Sequence, residues 1–229
     1  PRDFPGEPVE ARAQLIKLLG TGAEERPEQA EYAGAVSPAF NARDKKGEPN
    51  IVLADAGTGV GKTMGYIAPA SVWADKNEGS VWISTFTRNL QRQLDGELDR
   101  LYPDPAEKME KVVIRKGREN YFCLLNFAEA VGRLRSGTAN SNGSEAIGLG
   151  LMARWALMSR DGDMIGGDFP SWLADLVGRS TTLDLTDKRG ECTYSACQYY
   201  NRCFIERTIR RARRARIVVA NHALVMIQA

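Results

Sequence analysis

The sequence predicts an α/β fold: a parallel, doubly wound sheet interrupted by a mainly helical insertion that carries all the cysteines. Three observations lead there. Short apolar runs at residues 51–54, 80–85, 111–114 and 217–220 alternate with helix-like segments, the pattern of strands joined by helical crossovers. A glycine-rich loop connects the first of these runs to a helix. Residues 117–205 show no clear strand, and Cys123, Cys192, Cys197 and Cys203 all fall there.

The elements follow in chain order. Residues 1–22 read as an irregular N-terminal extension with one short amphipathic stretch, Ala11 to Leu19. A helix is expected from Pro27, where proline suits the first helical position. The polar loop at 41–50 leads into Ile51-Val52-Leu53-Ala54, a short apolar run expected to be a buried strand. A helix from about Lys62 to Trp73 comes next, then a second strand, Ser80 to Thr85. A polar helix, Arg88 to Leu101, ends in the proline-rich turn 102–105, and Lys111 to Ile114 is the third strand. Within the insertion, helix-like pieces lie near 123–135, 145–160 and 171–177, and a low-complexity linker spans Ser136 to Ser144. A basic helix, Phe204 to Arg216, and a fourth strand, Ile217 to Ala220, return the chain to the sheet. The expected domains are an extension (1–22), a first core segment (23–116), the insertion (117–205) and a resumed core (206–229).

Composition excludes some functions and leaves others open. With 229 residues, 43% hydrophobic and 26% charged, the chain can build a packed core. Its net charge of +2 means that attraction to nucleic acid must come from local patches. No apolar stretch reaches the length of a membrane span and no signal peptide is visible, so a cytoplasmic location and reduced cysteines are expected. The chain opens at Pro1 and reads as a piece of a longer protein.

The segment Ala56-Gly57-Thr58-Gly59-Val60-Gly61-Lys62-Thr63 fits the Walker A pattern, with alanine in place of the first glycine. A triphosphate needs several backbone N–H groups turned inward, and glycines at 57, 59 and 61 permit that curl. The helix behind the loop adds its dipole. Lys62 is expected to bridge the β- and γ-phosphates and Thr63 to ligate Mg²⁺. The bland alternative, a glycine-rich turn, does not explain the Lys-Thr pair.

The cysteine spacings, x68, x4 and x5, allow all four thiols to reach one centre. Unlinked buried thiols are one reading, although all four fall in one insertion; zinc knuckles use tighter pairs, and a [4Fe–4S] cluster also takes four thiolates, so spacing alone leaves the two metals even. Basic residues interleave with aromatics at Arg115, Lys116, Arg118, Tyr121 and Phe122, a combination that suits a single strand, although Phe122 is read as packing. Six arginines lie between Arg207 and Arg216; of these, Arg210 and Arg214 are the candidate DNA contacts, against the ordinary reading of a solvated face. His222 has no visible carboxylate partner and is read as structural.

The order of motifs now resembles a known family. Arg26-Pro27-Glu28-Gln29 precedes the loop; Ser84-Thr85-Phe86-Thr87-Arg88-Asn89-Leu90-Gln91 follows it; then come Lys116-Gly117-Arg118-Glu119-Asn120-Tyr121-Phe122-Cys123 and, at the end, Val218-Val219-Ala220-Asn221-His222. The series resembles the DinG branch of the XPD-like superfamily 2 DNA helicases over nearly all of the chain after residue 22. The resemblance implies a RecA-like motor domain, ATP with Mg²⁺, and single-stranded DNA as partner. It implies that Gln29 reads adenine with Arg26 beside it, and that Thr85, Thr87 and Arg88 contact the strand. It implies a [4Fe–4S] cluster on the four cysteines and a 5′–3′ helicase, expected to be monomeric. No Asp-Glu-Ala-His box follows residue 222, so this segment alone is expected to bind nucleotide weakly and turn over little. Two other readings stand beside it: a nucleic-acid-binding zinc module on a P-loop scaffold without unwinding, and a CRISPR-associated DinG relative.

Overall fold

A computed structural model describes residues 3–20, 22, 24, 26–43, 45, 47–137, 143–188 and 190–228. Part of the low-complexity linker therefore lies outside the described residues. The chain divides into two compact units, residues 1–115 with 211–229, and residues 116–210.

The first unit is α/β. Helix α1 (Pro8–Leu19) starts with a reciprocal cap between Glu7 and Glu10 and has proline in its first turn. It is longer than the sequence suggested, because Leu15 and Leu18 are buried in the core beside α2 (Pro27–Val36) and α3 (Lys62–Asn77). Strand β1 (Val81–Thr85) leads to α4 (Arg88–Leu101), whose N-cap Thr87 accepts from the Leu90 N–H. A short helix, α5 (Pro105–Lys111), capped by Asp104, precedes β2 (Val112–Arg115). Strand β3 (Ile217–Asn221) and α11 (His222–Gln228) complete the unit.

The sheet is three-stranded and parallel, in the order β1-β3-β2, with Val81 and Val112 both in register with Ile217. Central β3 is closed to solvent from Ile217 to Ala220, as expected for a strand covered on both faces. Side-chain alternation distributes its apolar load. Ile217 and Val219 join Leu94, Leu98, Ile67 and Met64 in the main core, and Val218 joins Val113, Ala212 and Ala215 in a smaller one.

The expected strand at 51–54 is absent. Ile51 and Leu53 are 75% and 95% exposed, and none of the three strands pairs with this segment. An apolar run is a strand only when a neighbouring ladder takes its N–H and C=O groups, and sequence pattern cannot supply that neighbour.

The second unit is helical: α6 (Leu124–Arg135), α7 (Gly143–Met158), α8 (Ser171–Val177), α9 (Arg179–Asp184) and the start of α10 (Phe204–Ala212). Two isolated bridges, Tyr121 with Asp163 and Phe122 with Thr186, are its only extended pairings among the described residues. Its core centres on Phe122, whose ring meets Phe127, Trp155 and Phe204 at centroid distances of 5.3, 5.7 and 6.4 Å. Helix α10 stops at Ala212, short of the Arg216 expected from composition. Among the described residues no helix is long and apolar enough to cross a membrane.

Candidate phosphate-binding loop and four-cysteine centre

The glycine-rich loop is curled at two of its three glycines. Gly59 and Gly61 have φ of +85° and +84°, a left-handed conformation that L side chains resist, whereas Gly57 does not take it. Gly61 is the N-cap of α3, so the first free N–H groups of a sixteen-residue helix follow directly behind the loop. Lys62 Nζ donates to the carbonyls of Ala56 at 2.7 Å and Gly57 at 2.9 Å, folding the ammonium back over the loop. Thr63 lies one residue further along the first turn of α3.

Two residues upstream hold the loop from outside. Gln29 is buried and donates through Nε2 to the Gly61 carbonyl at 2.8 Å. Arg26 donates through Nη1 to the Gly59 carbonyl at 2.8 Å, with Glu24 pairing its other nitrogen at 3.3 Å. Both bonds land on the two residues with positive φ. Beside them lies a cleft of about 290 Å³ that joins Gln29, Gly61 and Thr63 to Gln93, Glu97 and Arg100 of α4. Reading the sequence did not single out these α4 residues, although their spacing puts them on one helical face.

The candidate strand contacts are less uniform. Thr85 is 1% exposed and its hydroxyl donates to the Ala220 carbonyl at 3.3 Å, so it is committed inside the sheet. Thr87 is exposed and caps α4. The side chain of Arg88 lies outside the described residues. Phe86 is 82% exposed, with its ring 6.0 Å from that of His222. His222 Nδ1 is hydrogen-bonded to the Ser84 hydroxyl.

In the second unit Tyr121 corrects an expectation. It is 3% exposed, packed in the Phe122 core, and its hydroxyl accepts from the Lys116 N–H at 3.2 Å. A base needs an open ring face, and Tyr121 has none to offer. Arg118 is turned inward: it pairs with the buried Asp187 at 2.6 Å, lies 3.7 Å from Glu206, and donates to Cys192 Sγ at 2.8 Å. Arg210 is half-buried and donates to the Asn201 carbonyl at 3.3 Å, while Arg214 is exposed.

Cys123, Cys192, Cys197 and Cys203 all line one cavity of about 30 Å³, together with Arg118, Asp187 and Glu206. All four are unbridged and partly buried. They do not converge: among the described residues no three Cys, His, Asp or Glu side chains are close enough to grip an ion. Burial raises the thiols of Cys123 and Cys203 above their ordinary range. The donor set is nonetheless four thiols facing one space, which suits a four-thiolate centre. Asp187 and Glu206 escaped the sequence reading, since carboxylates 5 and 3 residues from a cysteine carry no spacing signal.

No protein-family profile matches the chain. Curated proteins do. The ATP-dependent helicase DinG of Mycobacterium tuberculosis (strain H37Ra) is 32% identical across 93% of this chain, which covers 32% of that protein. The ATP-dependent DNA helicase YoaA of Escherichia coli K12 is 32% identical across 92% of the chain and 30% of its own length. The 3′-5′ exonuclease DinG of Bacillus subtilis is 27% identical across 93% of the chain and 21% of its length. The chain thus spans about a third of the length of the first two. Over nearly all its residues this sequence is DinG-like, similar to one part of an ATP-dependent helicase.

Proposed function

We propose that this chain is the nucleotide-binding part of an ATP-dependent DNA helicase motor. The observation that carries the reading is the loop: two left-handed glycines, each with its carbonyl held by an upstream side chain, directly ahead of a helix N-terminus and a lysine. That arrangement turns backbone amides toward an anion and holds a mobile ammonium beside them. Its parallel sheet and the likeness to DinG and YoaA proteins support a RecA-like architecture. With nucleotide bound, Lys62 would exchange the Ala56 and Gly57 carbonyls for the β- and γ-phosphates, Thr63 would hold the Mg²⁺ that offsets their charge, and Gln29 and Arg26 would keep the loop curled through the Gly61 and Gly59 carbonyls. Exposure of Thr87, Phe86 and Arg214 supports a part for them in contacting a single strand.

In this reading residues 117–205 are the insertion, and Cys123, Cys192, Cys197 and Cys203 would hold a [4Fe–4S] cluster. When bound, the cluster supplies cross-linking rather than chemistry on DNA, because metal binding free energy becomes folding free energy. Arg118 then stays beside Cys192, anchored by Asp187. The inward Arg118 and buried Tyr121 leave the DNA footprint proposed from sequence.

The test is ATPase activity of the full-length protein with and without single-stranded DNA, alongside Lys62→Ala. Stimulation by DNA that vanishes in K62A is expected. Turnover indifferent to DNA would favour a zinc module on a P-loop scaffold. Broad visible absorption with four irons per chain is expected for the centre; a colourless protein with one zinc refutes the cluster.

A further inference from the structure

We propose that Phe86 is a base-stacking residue for single-stranded DNA, with its ring braced from one side by His222. The inference rests on the DNA-motor reading above and deepens it, by assigning a contact to bases rather than to phosphates.

Sheet register brings the two rings together. Strands β1 and β3 are parallel neighbours, and Thr85 stands opposite Asn221. Phe86 and His222 are the next residues of their segments, so they leave the carboxyl end of the sheet side by side. Open α/β sheets take their ligands at that end. The ring centroids lie 6.0 Å apart with the planes tilted by 52°, an ordinary aromatic contact. His222 is itself held, since its Nδ1 is hydrogen-bonded to the Ser84 hydroxyl on β1. It is the single histidine of the chain, and this position gives it work that its sequence context did not suggest. Phe86 nevertheless stays 82% exposed, and His222 is its one ring partner among the described residues. A ring that is open to solvent yet braced has the two properties a stacking platform needs: a free face, and less freedom to lose on binding.

Local charge selects the partner. The segments that meet here, residues 80–94 and 217–229, contain no Asp or Glu, and the first carries Arg88 and Arg92. This acid-free surface accepts a polyanion without repulsion, although the whole chain is nearly neutral. A phenyl ring offers nothing to a phosphate. It meets the base, and every base has a face to stack, so the contact is tolerant of sequence.

The experiment measures binding by the full-length protein of two strands of equal length: oligothymidine, and a base-free deoxyribose-phosphate strand that keeps every phosphate. Phe86→Ala should bind oligothymidine about tenfold more weakly than wild type, the scale of one stacked base. It should bind the base-free strand as wild type does, with the salt dependence of binding unchanged, because no phosphate contact is lost. Phe86→Trp should keep wild-type affinity. His222→Ala should weaken oligothymidine alone, by about threefold, the scale of one aromatic pair, and His222→Phe, which restores a ring, should recover it. ATP affinity unchanged in every variant shows that the nucleotide site is intact. Phe86→Ala that binds oligothymidine as wild type does, or that loses affinity equally for both strands, overturns the inference while the motor reading stands. Phe86→Ala that lowers only Tm, the sign of a later segment covering the ring, overturns it too. Wild type that binds neither strand overturns it together with the DNA reading, and ATP binding by that protein still upholds the nucleotide site.

Discussion

Gly61→Ala tests the loop geometry without any ligand. The new methyl meets two penalties. Residue 61 has φ of +84°, where an L side chain costs roughly 1–2 kcal/mol. The Cβ also falls 2.3 Å from Gln29 Nε2 and 2.9 Å from its Cδ, inside any tolerable contact. Gln29 is 4% exposed, so it cannot swing into solvent, and it must give up its bond to the Gly61 carbonyl. A buried amide left unpaired adds about 1–3 kcal/mol. The sum is about 2–5 kcal/mol, equivalent to roughly 4–20 °C in Tm at this size. Gly59→Ala meets open space and carries only the backbone penalty, about 1–2 kcal/mol. Gly57→Ala has its nearest neighbour at 4.0 Å and no left-handed φ, so it should lie within about 0.5 kcal/mol of wild type. Chemical denaturation without nucleotide measures all three. In the double variant Gln29→Ala/Gly61→Ala the clash disappears, and the cost should be smaller than the sum of the singles by about 1–3 kcal/mol. Equal stability of the three glycine variants, or strict additivity in the cycle, refutes the reasoning.

Other outcomes follow from buried polar groups. Lys116 pairs with the buried Asp163 and donates to the Ile165 carbonyl at 2.6 Å; Lys116→Met strands that carboxylate and should cost about 3–5 kcal/mol in denaturant, with Asp163→Asn restoring part of it. Tyr102 is buried with a hydroxyl that has no partner, and burial pushes its ionisation far above the usual 10; Tyr102→Phe should match or exceed wild-type stability and lessen the stability loss that sets in as pH rises above about 10, where the unfolded phenol ionises first, the remainder coming in part from Tyr66 and Tyr32, which burial also raises. The Lys76 ammonium, hydrogen-bonded to Glu10, holds that carboxyl below its ordinary 4.5. Its contribution is complete above 4.5 and lost as pH falls through the lower folded value; half exposed, the pair is worth well under about 1 kcal/mol, so Glu10→Gln should flatten the acid limb only slightly.

Legibility of the fold followed from what each signal depends on. Helix α4 was readable to the residue, since Thr87 caps it and Leu94 and Leu98 repeat at helical spacing. Strands β1, β2 and β3 were readable within a residue, because each is a β-branched apolar run that finds a ladder. The run at 51–54 had the same pattern and formed no strand, since a strand is a property of two segments rather than one. Tyr121 illustrates the same limit at the site: a tyrosine beside Lys116 and Arg118 reads as a stacking platform until packing closes both ring faces.

By itself, the sequence determined the glycine-rich loop, its lysine and threonine, the four thiols and the order of motifs, because these depend on residue type and short spacing. Only the tertiary structure decided that Gln29 and Arg26 grip Gly61 and Gly59, that Arg118 turns toward Cys192, and that Thr85 is committed inside the sheet. Those facts join residues 32 to 135 positions apart, and such relations exist only once the core has closed.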